Sequence, residues 1–308
     1  MSRTSTESTA PRVSIVSAVD DHPPDLQVWF EAISSQTLSS DQYEVIVVDA
    51  THELDHEAAL KEFNAKSTLG RNISWHRIAP GGRACALNHA LKLAKGELVI
   101  FLGDDNIPSP RFAAAHLDFH KAHPEPEAVG IGPAVLPPQF RNPFSIWLEE
   151  SGQLFGIPIR ADMTEVPKTF FYVSNASVKR ELLDKAGRFD ERFQNHAWDD
   201  HEFDQRLCAA GMEARFVPDA RTIHFDRINL AYREHAMRRA GAAAKVYLID
   251  HPARGSWFKT VTSPGWRHWL RVAAARLRLA FKASDDSLIG WWRARLDAAF
   301  AAGYRKGA

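Results

Sequence analysis

Four short runs of β-branched and aliphatic residues, at 13–17, 45–48, 73–78 and 98–102, are separated by helix-length amphipathic stretches at 25–36, 53–65 and 83–94. The runs at 45–48 and 98–102 are continuously apolar, which a strand tolerates only when both of its faces are covered. Strand and helix in alternation therefore predict an α/β fold whose parallel strands are joined by right-handed helical crossovers. In such open sheets ligands lie beyond the carboxyl ends of the strands, so residues 18–21, 49–52 and 103–106 should surround one crevice.

Beyond Pro110 the alternation loosens. The pattern predicts a helix near 143–152, a strand at 170–173, a helix at 198–210 closed by Gly211, and a strand at 214–217 leading to His224. A chain of 308 residues with 45% hydrophobic and 25% charged residues can bury such a core. Its 38 basic and 38 acidic residues balance, yet from His251 onward there are 11 Lys or Arg against 3 Asp or Glu. Cys85 and Cys208 lack the spacing of a zinc or redox site, so they are expected as small buried residues in a reducing compartment. The polar start of the chain reads as no signal peptide, and no apolar run is long enough to span a bilayer. A cytoplasmic location is expected.

Three places carry polar groups such a crevice can use. The fourth run ends in Gly103-Asp104-Asp105-Asn106, and hard oxygen donors there suit Mg²⁺ or Mn²⁺ bridging two phosphates, although a polar turn reads the same way. Asp49 ends the second run, where a carboxylate can serve the crevice as an acceptor or cap a helix. Asp199 and Asp200 open the helix at 198–210. Neighbouring carboxylates raise each other's pKa while the helix dipole opposes the rise, so the pair suits either a general base or a helix cap paired with Arg206.

These segments, in this order, resemble the family 2 glycosyltransferases of the GT-A fold over residues 13–225, about two thirds of the chain. The resemblance implies a Rossmann-like, mostly parallel central sheet flanked by helices, with a C-terminal helical extension. Asp105 matches the last acid of the family's DXD motif, which holds a divalent metal. Gly103 stands where the first acid is usual, so the resemblance implies either that Asp104 substitutes for it or that metal affinity is reduced. Val217-Pro-Asp-Ala-Arg-Thr-Ile-His224 resembles the segment that gives many members a second metal ligand, here His224. Asp49 matches the residue that reads uracil, although Ala50-Thr51-His52 replaces the usual Asp-Gly-Ser. Gly81-Gly-Arg-Ala-Cys-Ala-Leu-Asn88 is similar to the family's Gly-Lys-Ala-x-Ala-Leu-Asn, which adds Arg83 and Asn88 to the donor side beside Ala18 and Asp104. The stretch from Phe189-Asp-Glu-Arg-Phe to Arg206 resembles the family's base motif, making Asp200 the catalytic base and Asp199 its neighbour. Trp198 either stacks on an acceptor sugar or packs in the core.

The resemblance implies an inverting, metal-dependent transferase that moves sugar from a nucleotide-diphosphate donor, a UDP-sugar, to a hydroxyl of a glycan or lipid-linked acceptor. The rival readings are a silent UDP-sugar-binding protein and a membrane adaptor. The expected organisation is a flexible start at 1–12, a catalytic domain at 13–240 with donor half 13–110 and acceptor half 111–240, and a basic amphipathic extension at 241–308. In that extension, residues 266–282 and 288–300 place tryptophans and arginines as an interfacial helix on an anionic membrane would, or as a helix packed on the catalytic domain would. Nothing in the basic stretch forms a nucleic-acid recognition module.

Overall fold

The computed structural model describes residues 11–19, 25–51, 58, 61–63, 65, 72–158, 163–194, 197–255 and 285–306. The expected strands appear as β1 (Val13–Val19), β2 (Tyr43–Asp49), β3 (Ile73–Arg77) and β4 (Leu98–Leu102). They run parallel in the order β3-β2-β1-β4. Their side chains alternate between two cores, as a sheet covered on both faces requires. Val16, Ala18, Ile46, Val48 and Phe101 pack with helix α2 (Gly82–Leu93). Ile15, Val45, Val47 and Ile100 pack with α1 (Leu26–Ser34) on the other face. Asp25 caps α1 by accepting from the Val28 N–H at 3.2 Å. The helix expected at 53–65 lies mostly outside the described residues.

Short strand β5 (Asn106–Pro108), helix α3 (Phe112–Ala122), and strands β6 (Ala128–Ile131) and β7 (Ala134–Val135) follow. Helix α4 (Pro143–Glu150) starts with a capping box between Asn142 and Ser145, and with proline in its first turn. The strand expected at 170–173 is instead irregular chain. The strand is β8 (Asn175–Lys179), antiparallel to both β4 and β6. Its buried polar residues hide it from a hydrophobicity pattern. Asn175 Oδ1 accepts from His116 Nε2 at 2.9 Å, and Ser177 Oγ lies 2.9 Å from His120 Nε2. Two positions along a strand and four along a helix span nearly the same length, so α3 partners both polar residues at once.

Helices α5 (Arg180–Ala186) and α6 (Asp199–Ala209) precede β9 (Glu213–Phe216), which completes a seven-stranded sheet of order β3-β2-β1-β4-β8-β6-β9. Strand β10 (Thr222–His224) leaves for a second sheet, β5-β10-β7.

Two long helices, α7 (Leu230–Asp250) and α8 (Asp285–Lys306), end the fold. The boundary expected at 240 falls inside α7, and the two helices cross with backbones nearly touching. A Cβ built on Gly241 would lie 2.0 Å from Phe300 O, and one on Gly303 would lie 1.9 Å from Arg238 O. Trp292, in the stretch read as facing either a membrane or the catalytic domain, is buried against Phe144 and Trp147 at ring distances of 5.2 and 5.4 Å. Arg295 pairs with buried Glu234 at 2.6 Å. The stretch 266–282 lies outside the described residues. Among the described residues no helix is long and apolar enough to cross a membrane.

Candidate functional site

The small sheet brings two distant segments together. Strand β10 pairs antiparallel with β5 so that His224 stands opposite Asn106, and the Phe225 N–H donates to the Asp105 carbonyl at 2.7 Å. His224 Nε2 then lies 3.3 Å from Asp105 Oδ2, with the imidazole buried and the carboxylate 28% exposed. Adjacent ligands of a six-coordinate divalent ion stand about 3 Å apart, because each sits about 2.1 Å from the metal. A carboxylate oxygen and an imidazole nitrogen at this spacing therefore fit Mn²⁺ or Mg²⁺. Among the described residues no group of three or more His, Cys, Asp or Glu could hold a metal, so donor oxygens and water would supply the remaining positions. Gly103 has a local reason to lack a side chain. A Cβ there would lie 2.6 Å from Asp105 Oδ1 and 2.7 Å from Asn106 Nδ2. Asp104 occupies the turn next to it.

At the other end of the crevice Ala18 lies beside Val48, and Asp49 is fully buried at the end of β2. The Asp49 carboxylate accepts from Thr51 N at 2.9 Å and Thr51 Oγ1 at 2.7 Å, and pairs with Arg77 Nη1 at 3.2 Å. The acid that resemblance gives to the base is thus already partnered inside the protein, and Arg77 and Thr51 accompany it. Sequence reading missed Arg77. Its signal was register, since Asp49 and Arg77 stand opposite each other at the ends of parallel β2 and β3.

Arg83, read as the donor's cation, grips Asp199 with two hydrogen bonds, Nε to Oδ2 at 2.8 Å and Nη2 to Oδ1 at 2.6 Å. Its Nη2 is also 3.5 Å from Asp200 Oδ2. Arg206 does not join them. It pairs with Glu202 at 2.7 Å and donates to Ala186 O at 2.7 Å. Gly82, with φ +78°, allows α2 to begin against Gln194, whose carbonyl would lie 2.3 Å from any Cβ at position 82. Asn88 is spent on packing. Its Nδ2 donates to Phe189 O and Glu191 Oε1 at 2.9 and 2.8 Å, and its Oδ1 accepts from Phe189 N at 2.9 Å. That amide fixes the segment leading to α6.

The first turn of α6 is strained. Trp198, just before Asp199, has φ +69°, a conformation disfavoured for any residue but glycine. Its indole Nε1 donates to Ala240 O at 2.8 Å and its ring lies 5.1 Å from Tyr247, so it docks on α7 as packing. Asp199 is buried, whereas Asp200 stays partly open. Burial raises the pKa of Asp200. Arg83 pulls it down, Asp199 raises it further, and the His201 N–H, donating at 2.9 Å, lowers it. One turn on, burial and then Asp200 push Asp204 up to about 7. Asp204 is a second titrating group that the sequence did not reveal. The two cysteines are half-buried and free rather than buried.

Residues 14–187, more than half of the chain, match the family model described as glycosyl transferase family 2. The chain belongs to glycosyl transferase family 2. It shares 26% identity over 284 residues with the O-antigen biosynthesis protein RfbC of Myxococcus xanthus, covering 86% of this chain and 20% of that one. The chain thus spans about a fifth of the length of this curated relative. Among solved structures it is similar to the mannosyltransferase PcManGT of Pyrobaculum calidifontis in complex with GDP-Man and Mn²⁺. That match has a TM-score of 0.62 and 19% identity over 96% of this chain and 87% of that one. It is also similar to residues 1–349 of S. aureus TarS in complex with UDP-GlcNAc, with a TM-score of 0.56 and 14% identity over 96% and 91%. These likenesses show the GT-A fold, and family membership makes the chain a transferase enzyme.

Proposed function

We propose that this family 2 transferase moves a sugar from a nucleotide-diphosphate donor, a UDP-sugar, to a hydroxyl of a glycan or lipid-linked acceptor, with inversion at the anomeric carbon. The observation that carries this reading is the convergence of Asp105 and His224 at 3.3 Å beyond the end of β4. A divalent ion held by that pair would neutralise charge developing on the leaving diphosphate. Asp49, Thr51 and Arg77 form the nucleotide end of the crevice. Asp200 takes the acceptor hydroxyl proton as that oxygen attacks the anomeric carbon from the face opposite the diphosphate, which inverts the centre. Its raised pKa makes its carboxylate a stronger base than an ordinary aspartate. Arg83 and Asp199 hold it in place. The nucleotide sugars bound by PcManGT and TarS support a donor of this class, and the O-antigen name of the M. xanthus relative fits a glycan acceptor.

The test is release of UDP, and of GDP in parallel, from a panel of nucleotide sugars with Mn²⁺, Mg²⁺ or EDTA. Metal-dependent turnover of a UDP-sugar, lost in Asp105→Ala, is expected. Turnover of GDP-sugars alone would replace the donor. Nucleotide binding with no turnover of any donor in the presence of glycan and lipid acceptors would overturn the enzymatic reading.

A further inference from the structure

The charges along the crevice leave one demand unmet. Arg77 is neutralised by Asp49, and Arg83 by Asp199. A leaving nucleoside diphosphate carries more negative charge than one divalent ion cancels, and phosphoryl-bearing leaving groups are commonly met by a guanidinium as well. Arg227 stands three residues beyond His224, is exposed, and has no carboxylate partner among the described residues. Its guanidinium lies over the Phe140 ring at 5.3 Å. Phe140 meets Phe225 edge-on at 5.1 Å, and Phe225 is anchored through its N–H to the Asp105 carbonyl. The cation is therefore tied by a short series of contacts to the Asp105–His224 pair. Stacking on an aromatic face restrains a guanidinium while leaving its edge N–H groups free for two oxygens, which an ammonium cannot reproduce.

We propose that Arg227 binds the donor diphosphate at the outer rim of the Asp105–His224 pair, as the cation that Arg83 does not supply. This rests on the donor reading above. A phosphate on the acceptor offers the same chemistry, and the two sources separate by experiment. Binding of UDP, GDP and the bare nucleosides would be measured by calorimetry with Mn²⁺ for the wild type, Arg227→Ala and Arg227→Lys. Expected is a nucleoside-diphosphate affinity weakened about ten-fold to a hundred-fold in Arg227→Ala. A smaller loss is expected in Arg227→Lys, with nucleoside binding unchanged and melting temperature unaltered because the residue is exposed. Equal diphosphate affinity in all three proteins would overturn the proposal. So would an unchanged diphosphate affinity with a raised KM for a phosphorylated acceptor, which would assign Arg227 to the acceptor instead. If the wild type binds neither nucleoside diphosphate, the donor reading itself fails, a result distinct from loss confined to the variants.

Discussion

Arg83 and Asp199 lie 116 positions apart, yet the guanidinium of one grips both carboxylate oxygens of the other at 2.8 and 2.6 Å. The contact joins the start of α2, on the donor side, to the start of α6, which bears the proposed base. Arg83→Ala would take two charge-assisted hydrogen bonds away from a fully buried carboxylate. Because Arg83 keeps 20% of its side chain exposed, the cost should be about 2–3 kcal/mol, below that of a fully buried pair. Urea denaturation checks this, and adding Asp199→Asn to Arg83→Ala should recover part of the loss. Equal stability of Arg83→Ala and wild type would show the pair to be energetically idle.

Asp200→Asn should lower kcat by about 10²–10⁴-fold while leaving nucleotide affinity within about two-fold. In the wild type, kcat/KM should fall on acidification through a pKa above the ordinary carboxylate value, since burial raises that of Asp200. Asp204, near 7, adds to the same limb. A rate profile flat down to pH 4 would remove Asp200 from the role.

Restoring the usual first acid through Gly103→Asp should weaken metal-dependent turnover. The new Cβ would push against Asp105 Oδ1 and Asn106 Nδ2, so Asp105 must turn away from His224. An Mn²⁺ activation curve should shift to higher concentration by several-fold, and a shift the other way would show that the glycine is a simple loss of ligand.

Stability should decline on mild acidification through His116 and His120. Burial lowers their folded pKa values from the ordinary 6.5 to about 4 and about 3. Both values are depressed, so each neutral imidazole contributes its full stability above about pH 6.5. That contribution is lost as pH falls toward the folded values, because the unfolded chain binds protons first. A loss of a few kcal/mol is expected across that window. His116→Gln, which keeps a donor for Asn175, should flatten the dependence of melting temperature on pH.

The half of the fold that could be read from sequence is the half whose signals are local. Strands β1, β2 and β4 are largely apolar runs with turns at their ends, Asp105 and His224 sit in motifs at strand ends, and Asp199 and Asp200 sit at a helix start. Strand β8 escaped because Asn175 and Ser177 are made tolerable by two histidines on α3, nearly sixty positions earlier. The partners of Asp49 and Asp199 escaped for the same reason, as an ion pair between two neighbouring strands or two helix starts leaves no trace in either segment alone. Trp198 and Trp292 stay open between ligand and packing because large aromatics look alike in sequence whether they meet a sugar, a lipid or a helix. The structure gives both to helix packing.

The crossing of α7 and α8 reaches further than the tail. Gly241, where Phe300 O presses closest, follows Ala240, whose carbonyl holds the Trp198 indole, and Trp198 directly precedes Asp199 and Asp200. The close approach at the glycines thus sets where the Ala240 carbonyl, and with it the Trp198 indole, is held. Bulk added at position 241 would be felt as a displacement of the first turn of α6, so a residue more than forty positions from the proposed base has a mechanical hold on where that base points.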